Sequence, residues 1–223
     1  MKRFRVLLTV IICVLGLGLC AAVPVCAAAK KTYRNQLVKV KIKGSHPTDY
    51  NYYYYNKKGK KLKNAWKKVK VGGKKKKLYF GKSGKAYKAA KTAAFKYNVA
   101  VKKVKGVQYG FGTDGGLLTG IYVSAGFDDG KFYYFSKSGR LNKAVTEKLQ
   151  KAAAQGSDAK TLRTLLKKYA GKPKSTFTTN ACTLYEDVMP ESVTVERYSR
   201  FEAQYYTMPD GSEIVYVAAG LLS

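Results

Sequence analysis

Few side chains in this sequence are of the kinds that carry out bond chemistry. His46 is the only histidine of the chain, so a Ser/His/Asp or Cys/His nucleophile would have to be built on it. It stands in the turn-forming run GSHPTD (residues 44–49) and reads as an ordinary loop residue. No Cys/His cluster has the spacing of a zinc site, and no glycine-rich phosphate loop occurs. Two adjacent carboxylate pairs exist, Asp128-Asp129 and Glu186-Asp187. The first precedes Gly130 and reads as a hairpin turn. The second, with Glu191 or Glu196, has the residue types of a glycosidase, but neighbouring residues on a strand point to opposite faces, which argues against one shared site. Cys182 is the only cysteine after Cys26 and reads as a small buried hydrophobe rather than a reactive thiol. The expectation is a protein that does not catalyse, with no cofactor, no metal and no catalytic residue.

What is abundant is tyrosine and lysine: 19 tyrosines, and 43 Lys+Arg against 13 Asp+Glu, a formal net charge of +30. The charge is unevenly placed. Residues 30–106 hold 26 basic residues against the single acid Asp49, a net of +25. Residues 107–170 hold 10 against 5, and residues 171–223 hold 4 against 7, nets of +5 and −3. Such asymmetry points to an anionic partner for the N-terminal part, the alternative being that the lysines only keep a tyrosine-rich surface soluble. Tyrosine rings stack on sugar faces, and ammonium groups neutralise phosphates or carboxylates. No arginine occurs between Arg34 and Arg140, so contacts are mobile point charges rather than geometry-specific forks. The grip should be diffuse and salt-sensitive. Nucleic acid would be held by the same stretch only non-specifically. The residues expected to touch the partner are Tyr53, Tyr55, Trp66, Tyr79, Phe80, Tyr109, Phe111, Tyr122 and Tyr134, with Lys60 and Lys85.

The elements that must position these side chains repeat. An aromatic or apolar cluster, three turn residues and a glycine recur as Tyr53-Tyr54-Tyr55 with Gly59, Leu78-Tyr79-Phe80 with Gly84, Tyr109-Gly110-Phe111 with Gly115, and Tyr133-Tyr134-Phe135 with Gly139. The copies are offset by 25, 31 and 24 residues, the spacing of a stacked array. Alternating aromatics favour strands, and a glycine after a polar run supplies the positive φ of a tight turn. One hairpin cannot bury its aromatic face alone, so copies must stack. Before the array, residues 37–43 alternate, with Val38, Val40 and Ile42 on an apolar face and Leu37, Lys39, Lys41 and Lys43 on the other.

Between copies, Trp66 stands seven residues after Gly59, and Tyr122 seven after Gly115. With GKKLKNAW, GGLLTGIY and DDGKFYYFSKSGRLN, this region of about 90 residues resembles the choline-binding and glucan-binding repeats of Gram-positive surface proteins. The resemblance implies a β-hairpin array that holds a protein on the cell wall. The chain departs from the pattern in having one tryptophan, and Lys91 and Thr146 at the positions equivalent to Trp66. A cationic surface with few such rings suits an anionic wall polysaccharide or teichoic acid better than choline's quaternary ammonium.

After the fourth copy the period changes. Residues 143–154 and then a run capped by Ser157 or Asp158, with Leu162, Leu165, Leu166 and Tyr169 on one face, read as two helices. Gly171 and Pro173 stop the second. Runs at 175–183, 192–198, 201–207 and 213–218 read as strands of an antiparallel sheet. The segment LLKKYAGKP and the closing DGSEIVYV resemble the beta-lactamase-inhibitor-protein-like and outer-membrane-assembly-lipoprotein-like αα-β modules, which implies a protein partner at this end.

The N-terminus has a basic start (Lys2, Arg3, Arg5), an apolar run from Val6 to Leu19 and the small residues Ala27-Ala28-Ala29. This reads as a signal peptide, residues 1–29, removed on export; the alternative is an uncleaved anchor, since residues 6–23 approach the ~18 apolar residues of a span. The fold class expected is mainly β plus α+β. A basic strand and turn (30–48) and a β-hairpin array (49–142) precede a two-helix plus antiparallel-sheet domain (143–223) in a secreted, cell-wall-associated chain with no membrane span after cleavage.

Overall fold

The computed structural model describes residues 32–126 and 130–222. The segment read above as a signal peptide and the Asp128-Asp129 pair lie outside them. Four two-stranded antiparallel hairpins are followed by two helices and a four-stranded antiparallel sheet, the architecture expected from the sequence. Strand β1 (Gln36–Lys41) pairs with β2 (Tyr50–Tyr55), β3 (Ala65–Val71) with β4 (Lys74–Phe80), β5 (Ala100–Val104) with β6 (Val107–Phe111), and β7 (Gly120–Val123) with β8 (Phe132–Phe135). Each aromatic cluster is the second strand of its hairpin.

The recurring glycine closes a turn after that strand. Gly59, Gly84, Gly115 and Gly139 have φ of +72°, +77°, +77° and +79°. Each donates its N–H to the carbonyl three residues back, on Asn56, Gly81, Gly112 and Ser136. Two residues past the glycine, Lys61, Ala86, Leu117 and Leu141 bridge back to the last aromatic residue, Tyr55, Phe80, Phe111 and Phe135. Three of these returning segments also reach the preceding hairpin: Ala86 donates to Tyr52 O, Leu117 to Lys77 O and Leu141 to Gln108 O, each at 2.9 Å. The backbone thus locks every copy to the one before it. Within two hairpins the loops are two-residue turns, Gly72-Gly73 and Lys105-Gly106, with positive φ at both positions, as the right-handed strand twist requires.

The first stacking layer buries Tyr52, Tyr54, Val69, Leu78 and Phe80, and the second buries Tyr79, Val104 and Phe111. The face of β1 differs from the sequence expectation. Residues opposite one another on paired strands share a face, and Leu37, Lys39 and Lys41 lie opposite Tyr54, Tyr52 and Tyr50. The tyrosines of β2 carry far more apolar area than the valines of β1, so they select the inward face. Val40 is left 47% exposed. The long 31-residue offset has a cause too: residues 88–99 are an inserted, strandless connection in which Phe95 is buried and bridges Leu222.

Helix α1 (Lys143–Ala152) is capped by Asn142, whose side chain accepts from Val145 N, and α2 (Ala159–Tyr169) by Asp158, which accepts from Thr161 N. The sheet runs in the order β12 (Glu213–Gly220), β11 (Phe201–Thr207), β10 (Ser192–Arg197), β9 (Ser175–Asn180). Leu162 and Leu166 of α2 and Leu149 of α1 bury fully against Phe201, Ala203, Tyr205 and Val215. Ile121, Val123 and Phe132 of the fourth hairpin belong to this same core. The hairpin also packs the other way, for Phe135 lies so near Gly110 that a Cβ there would meet its ring at 2.3 Å. Arg163 of α2 bonds Glu196 and Glu213 and lies over the Tyr205 ring. Two readings of the sequence need correction. Cys182 is exposed, on the β9–β10 connection, where the edge strand leaves no interior for it. Glu186 and Asp187 are not strand residues but the two positive-φ residues (+48° and +63°) of a turn between Tyr185 and Val188.

Asp49, the one acid among residues 30–106, is 3% exposed. It pairs with the Lys88 ammonium and accepts from Ser45 Oγ at 3.0 Å and Lys91 N. The pair ties the β1–β2 loop to the segment after the second turn. Burial alone would raise the carboxyl, but the Lys88 ammonium, the Lys91 amide and the Ser45 hydroxyl outweigh it and hold Asp49 below the usual carboxylate range.

Two predictions follow from this packing. Gly139→Ala places a Cβ 2.4 Å from Leu117 Cγ at a positive φ, and should cost about 1 kcal/mol for the backbone and roughly 1–3 more for the collision. Gly73→Ala has the same backbone strain and open space, so it should cost only about 1 kcal/mol; thermal unfolding of the two variants checks the difference. For Asp49 the folded pKa is the lower one, so its contribution is present above the unfolded value near 3.8 and is lost as pH falls through the folded value. Asp49→Asn should therefore destabilise by about 3 kcal/mol at pH 7 and by progressively less below about pH 4, as read by denaturant unfolding at both pH values.

Candidate functional site

The array carries two grooves. The larger, about 950 Å³, spans the first three hairpins and is lined by Tyr79 and Tyr87, by Asn51 and Asn64, and by Lys82, Lys85, Lys88, Lys102, Lys103 and Lys105. Its construction follows from the repeat. Lys82 and Lys85 sit in the turn after β4, and Lys102, Lys103 and Lys105 at the end of β5 and in its hairpin turn. Lys88 is engaged by Asp49. The other five ammoniums are exposed and have no carboxylate partner among the described residues. Asn51 Oδ1 is buried and accepts no hydrogen bond from the described residues.

A second groove, about 480 Å³, lies between the second and fourth hairpins and is lined by Lys75, Lys76, Lys77 and Lys96 with Tyr97 and Tyr122. Here Asp114 pairs with Lys76 and also accepts from Gly116 N at 2.8 Å. Burial pushes the Tyr122 phenol up, Arg200 opposing, so the hydroxyl is a donor across the physiological range.

The expected contact residues fall into different places. Phe80 and Phe111 are completely buried and Tyr79 is 6% exposed; the two phenylalanines hold the layers together and do not face a partner. Trp66, Tyr79, Tyr109 and Phe111 do come together, with Trp66 centroids 5.1, 5.2 and 5.9 Å from the other three rings. Tyr53 and Tyr55 stand half-buried in the first hairpin, Tyr122 lies on the second groove, and Tyr134 packs on Tyr169 at 5.0 Å beside the helices. Lys60 and Lys85 are exposed, but only Lys85 lines a groove.

Many ring faces are covered by the chain's own cations. Lys61 Nζ lies 4.6 Å from the Tyr53 ring centre, Lys67 5.1 Å from Tyr54, Lys77 4.8 Å from Trp66, and the Arg200 guanidinium 4.4 Å from Tyr122. Of these pairs only Lys77 and Trp66 are neighbours on paired strands; Lys67 reaches Tyr54 from the next hairpin, and Arg200 reaches Tyr122 from the β10–β11 connection. Each contact leaves its ring partly desolvated by an intramolecular charge. Sequence reasoning missed Tyr87, Tyr97, Arg200 and the lysines of the larger groove other than Lys85. Tyr87 had a signal: it is three residues past Gly84, the position of Leu62 and Leu118 in other copies, and its N–H bonds Tyr79 O as theirs bond Tyr54 O and Gly110 O.

No family model matches the chain, and no curated protein is similar to it. Among solved structures, the modular autolysin LytC from Streptococcus pneumoniae aligns at 22% identity over 50% of this chain with a TM-score of 0.27, and the same autolysin in complex with a synthetic peptidoglycan ligand at 21% over 49% with a TM-score of 0.18. Alternansucrase in complex with isomaltononaose aligns at 12% identity over 81% of this chain, with a TM-score of 0.20. The alignments span 19%, 25% and 10% of those chains, so this chain corresponds to a quarter or less of each of the three.

Proposed function

We propose that this is a non-catalytic binding protein of the cell exterior that holds an anionic wall glycopolymer, of the teichoic-acid kind, in the lysine-lined groove of its hairpin array. The observation that carries the reading is the set of five unpaired ammoniums, on Lys82, Lys85, Lys102, Lys103 and Lys105, around a groove walled by Tyr79 and Tyr87. The one acid nearby is already neutralised by Lys88, so nothing in the groove cancels their field. A polymer with a charge on each unit gains from many such weak contacts at once, whereas a single small anion gains from one or two. Attraction of exposed lysines is screened within about 8–10 Å at ordinary salt, which makes retention reversible.

A second reading rests on the far edge of the sheet. All six residues of β9 are exposed, and Phe177, Leu184, Val188 and Met189 on or near it are 43–60% exposed. An uncharged edge strand beside apolar side chains suits a protein partner. A fragment of residues 143–223 would lack Ile121, Val123 and Phe132 from its own core, so the arm that tests this reading should begin before Gly120.

Wall fragments with and without phosphate-bearing polymer, exposed to the full chain across a salt series, test the first reading. Retention should follow the polymer, fall steeply as salt rises, and drop at least about fivefold when the five lysines are changed together to glutamine, given roughly 0.2–1 kcal/mol for each exposed charge contact. Retention that ignores salt, or that the five-glutamine variant keeps in full while still folded by circular dichroism, overturns it.

A further inference from the structure

Where the fourth hairpin meets the α+β domain there is a third cavity, of about 500 Å³, within the roughly 300–1,000 Å³ of small-ligand sites. It is unlike the array grooves. Its walls are aromatic and fixed: Tyr134 packs on Tyr169 at 5.0 Å, and Tyr198 stacks on Phe201 at 4.7 Å with the rings 14° from parallel. Its lining includes two cations, Arg200 and Lys137, and no carboxylate residue.

Arg200 is held in a defined pose. Its Nη1 donates to Thr119 O at 3.1 Å and Ile121 O at 3.2 Å, and its guanidinium lies over the Tyr122 ring. Gly120, at φ +81°, leaves the room, since a Cβ there would stand 3.1 Å from that nitrogen. The Nε and Nη2 groups have no partner among the described residues. The other arginines beyond Gly156 are used differently, Arg163 on Glu196 and Glu213 and Arg197 on Glu202. Lys137 is exposed in the turn after β8, the same turn position that puts Lys82 on the larger groove.

An anchored guanidinium with two free donor nitrogens is a planar receptor for a carboxylate or phosphate. Rigid rings beside it offer a flat apolar face, and Ser199 lies in the same lining. We propose that this cavity binds one acidic sugar unit, a pyranose bearing a carboxylate or a phosphate, with Arg200 and Lys137 on its charge and the tyrosine rings against its face. The source of that sugar, a unit of the polymer lying on the array, rests on the function proposed above; the cavity's chemistry does not. The array then supplies avidity through lysine, and the junction supplies identity through arginine.

The test is titration of the full chain with a galacturonate trisaccharide, glucose 6-phosphate and neutral maltotriose, by calorimetry or ligand-observed NMR. At least one charged probe should bind more tightly than maltotriose, and the better of the two identifies the acidic group. Lys137→Gln and Arg200→Lys should each weaken it about tenfold, whereas the five-glutamine groove variant should leave it unchanged. Arg200→Lys keeps a cation beside Tyr122, and Lys137→Gln alters an exposed side chain, so the latter decides if the former unfolds. Charged probes that bind no better than maltotriose, probe binding untouched by Lys137→Gln, or an equal loss in the groove variant overturns the proposal. Wall retention is read on polymer and this binding on short soluble sugars, so either reading fails without the other.

Discussion

The array depends on a small set of backbone bonds, those by which the segments following Gly84, Gly115 and Gly139 donate to the hairpin before them. A two-stranded hairpin has one aromatic face and nothing to cover it. The bonds from Ala86 to Tyr52, Leu117 to Lys77 and Leu141 to Gln108 fix where the next hairpin lies, and so which rings close each layer. Their register is set by the glycine turn, which places the donor two residues beyond a residue that must adopt positive φ. Local turn chemistry thereby determines long-range packing.

The same geometry explains how a stretch with a net of +25 can fold. Lysines occupy turns and exposed strand positions, where water screens them, while phenylalanine, leucine and tyrosine supply the interior. The single acid is withdrawn into the Asp49–Lys88 pair, where it fixes a loop instead of diluting the surface charge. Several remaining lysines lie over tyrosine or tryptophan rings, a contact that satisfies the cation without a carboxylate. In the C-terminal sheet the opposite economy holds, with Arg163 bridging Glu196 and Glu213.

Much of this was legible in the sequence because glycine and aromatic residues recur at fixed distances. The four aromatic strands with their glycine turns, both helices and the four strands of the sheet were readable from spacing and caps, Asp158 and Gly171 included. The partner strands β3, β5 and β7, which lack the recurring aromatic cluster, were not. The inward face of β1 was not, because alternation in one strand does not say which face its partner will bury; the tyrosines of β2 decide that. Nor was the fate of Phe80 and Phe111, since an aromatic strand reads the same whether its rings stack on a ligand or on the next copy. Arg200 was invisible for a different reason. It lies 79 and 81 residues from the backbone carbonyls that orient it, a separation that no local pattern encodes.

The double packing of the fourth hairpin gives the array a direction. Phe135 meets the third hairpin while Ile121, Val123 and Phe132 sit in the helical core, so this unit is welded at one side and cannot be exchanged for another copy. Among the described residues the first hairpin has no such second allegiance, and Val40 on its β1 edge is 47% exposed. Tandem duplication of a 24- or 25-residue unit would therefore lengthen the ladder near its amino-terminal end without disturbing the domain at its foot, and reach toward a polymer could change in evolution while the base stayed the same.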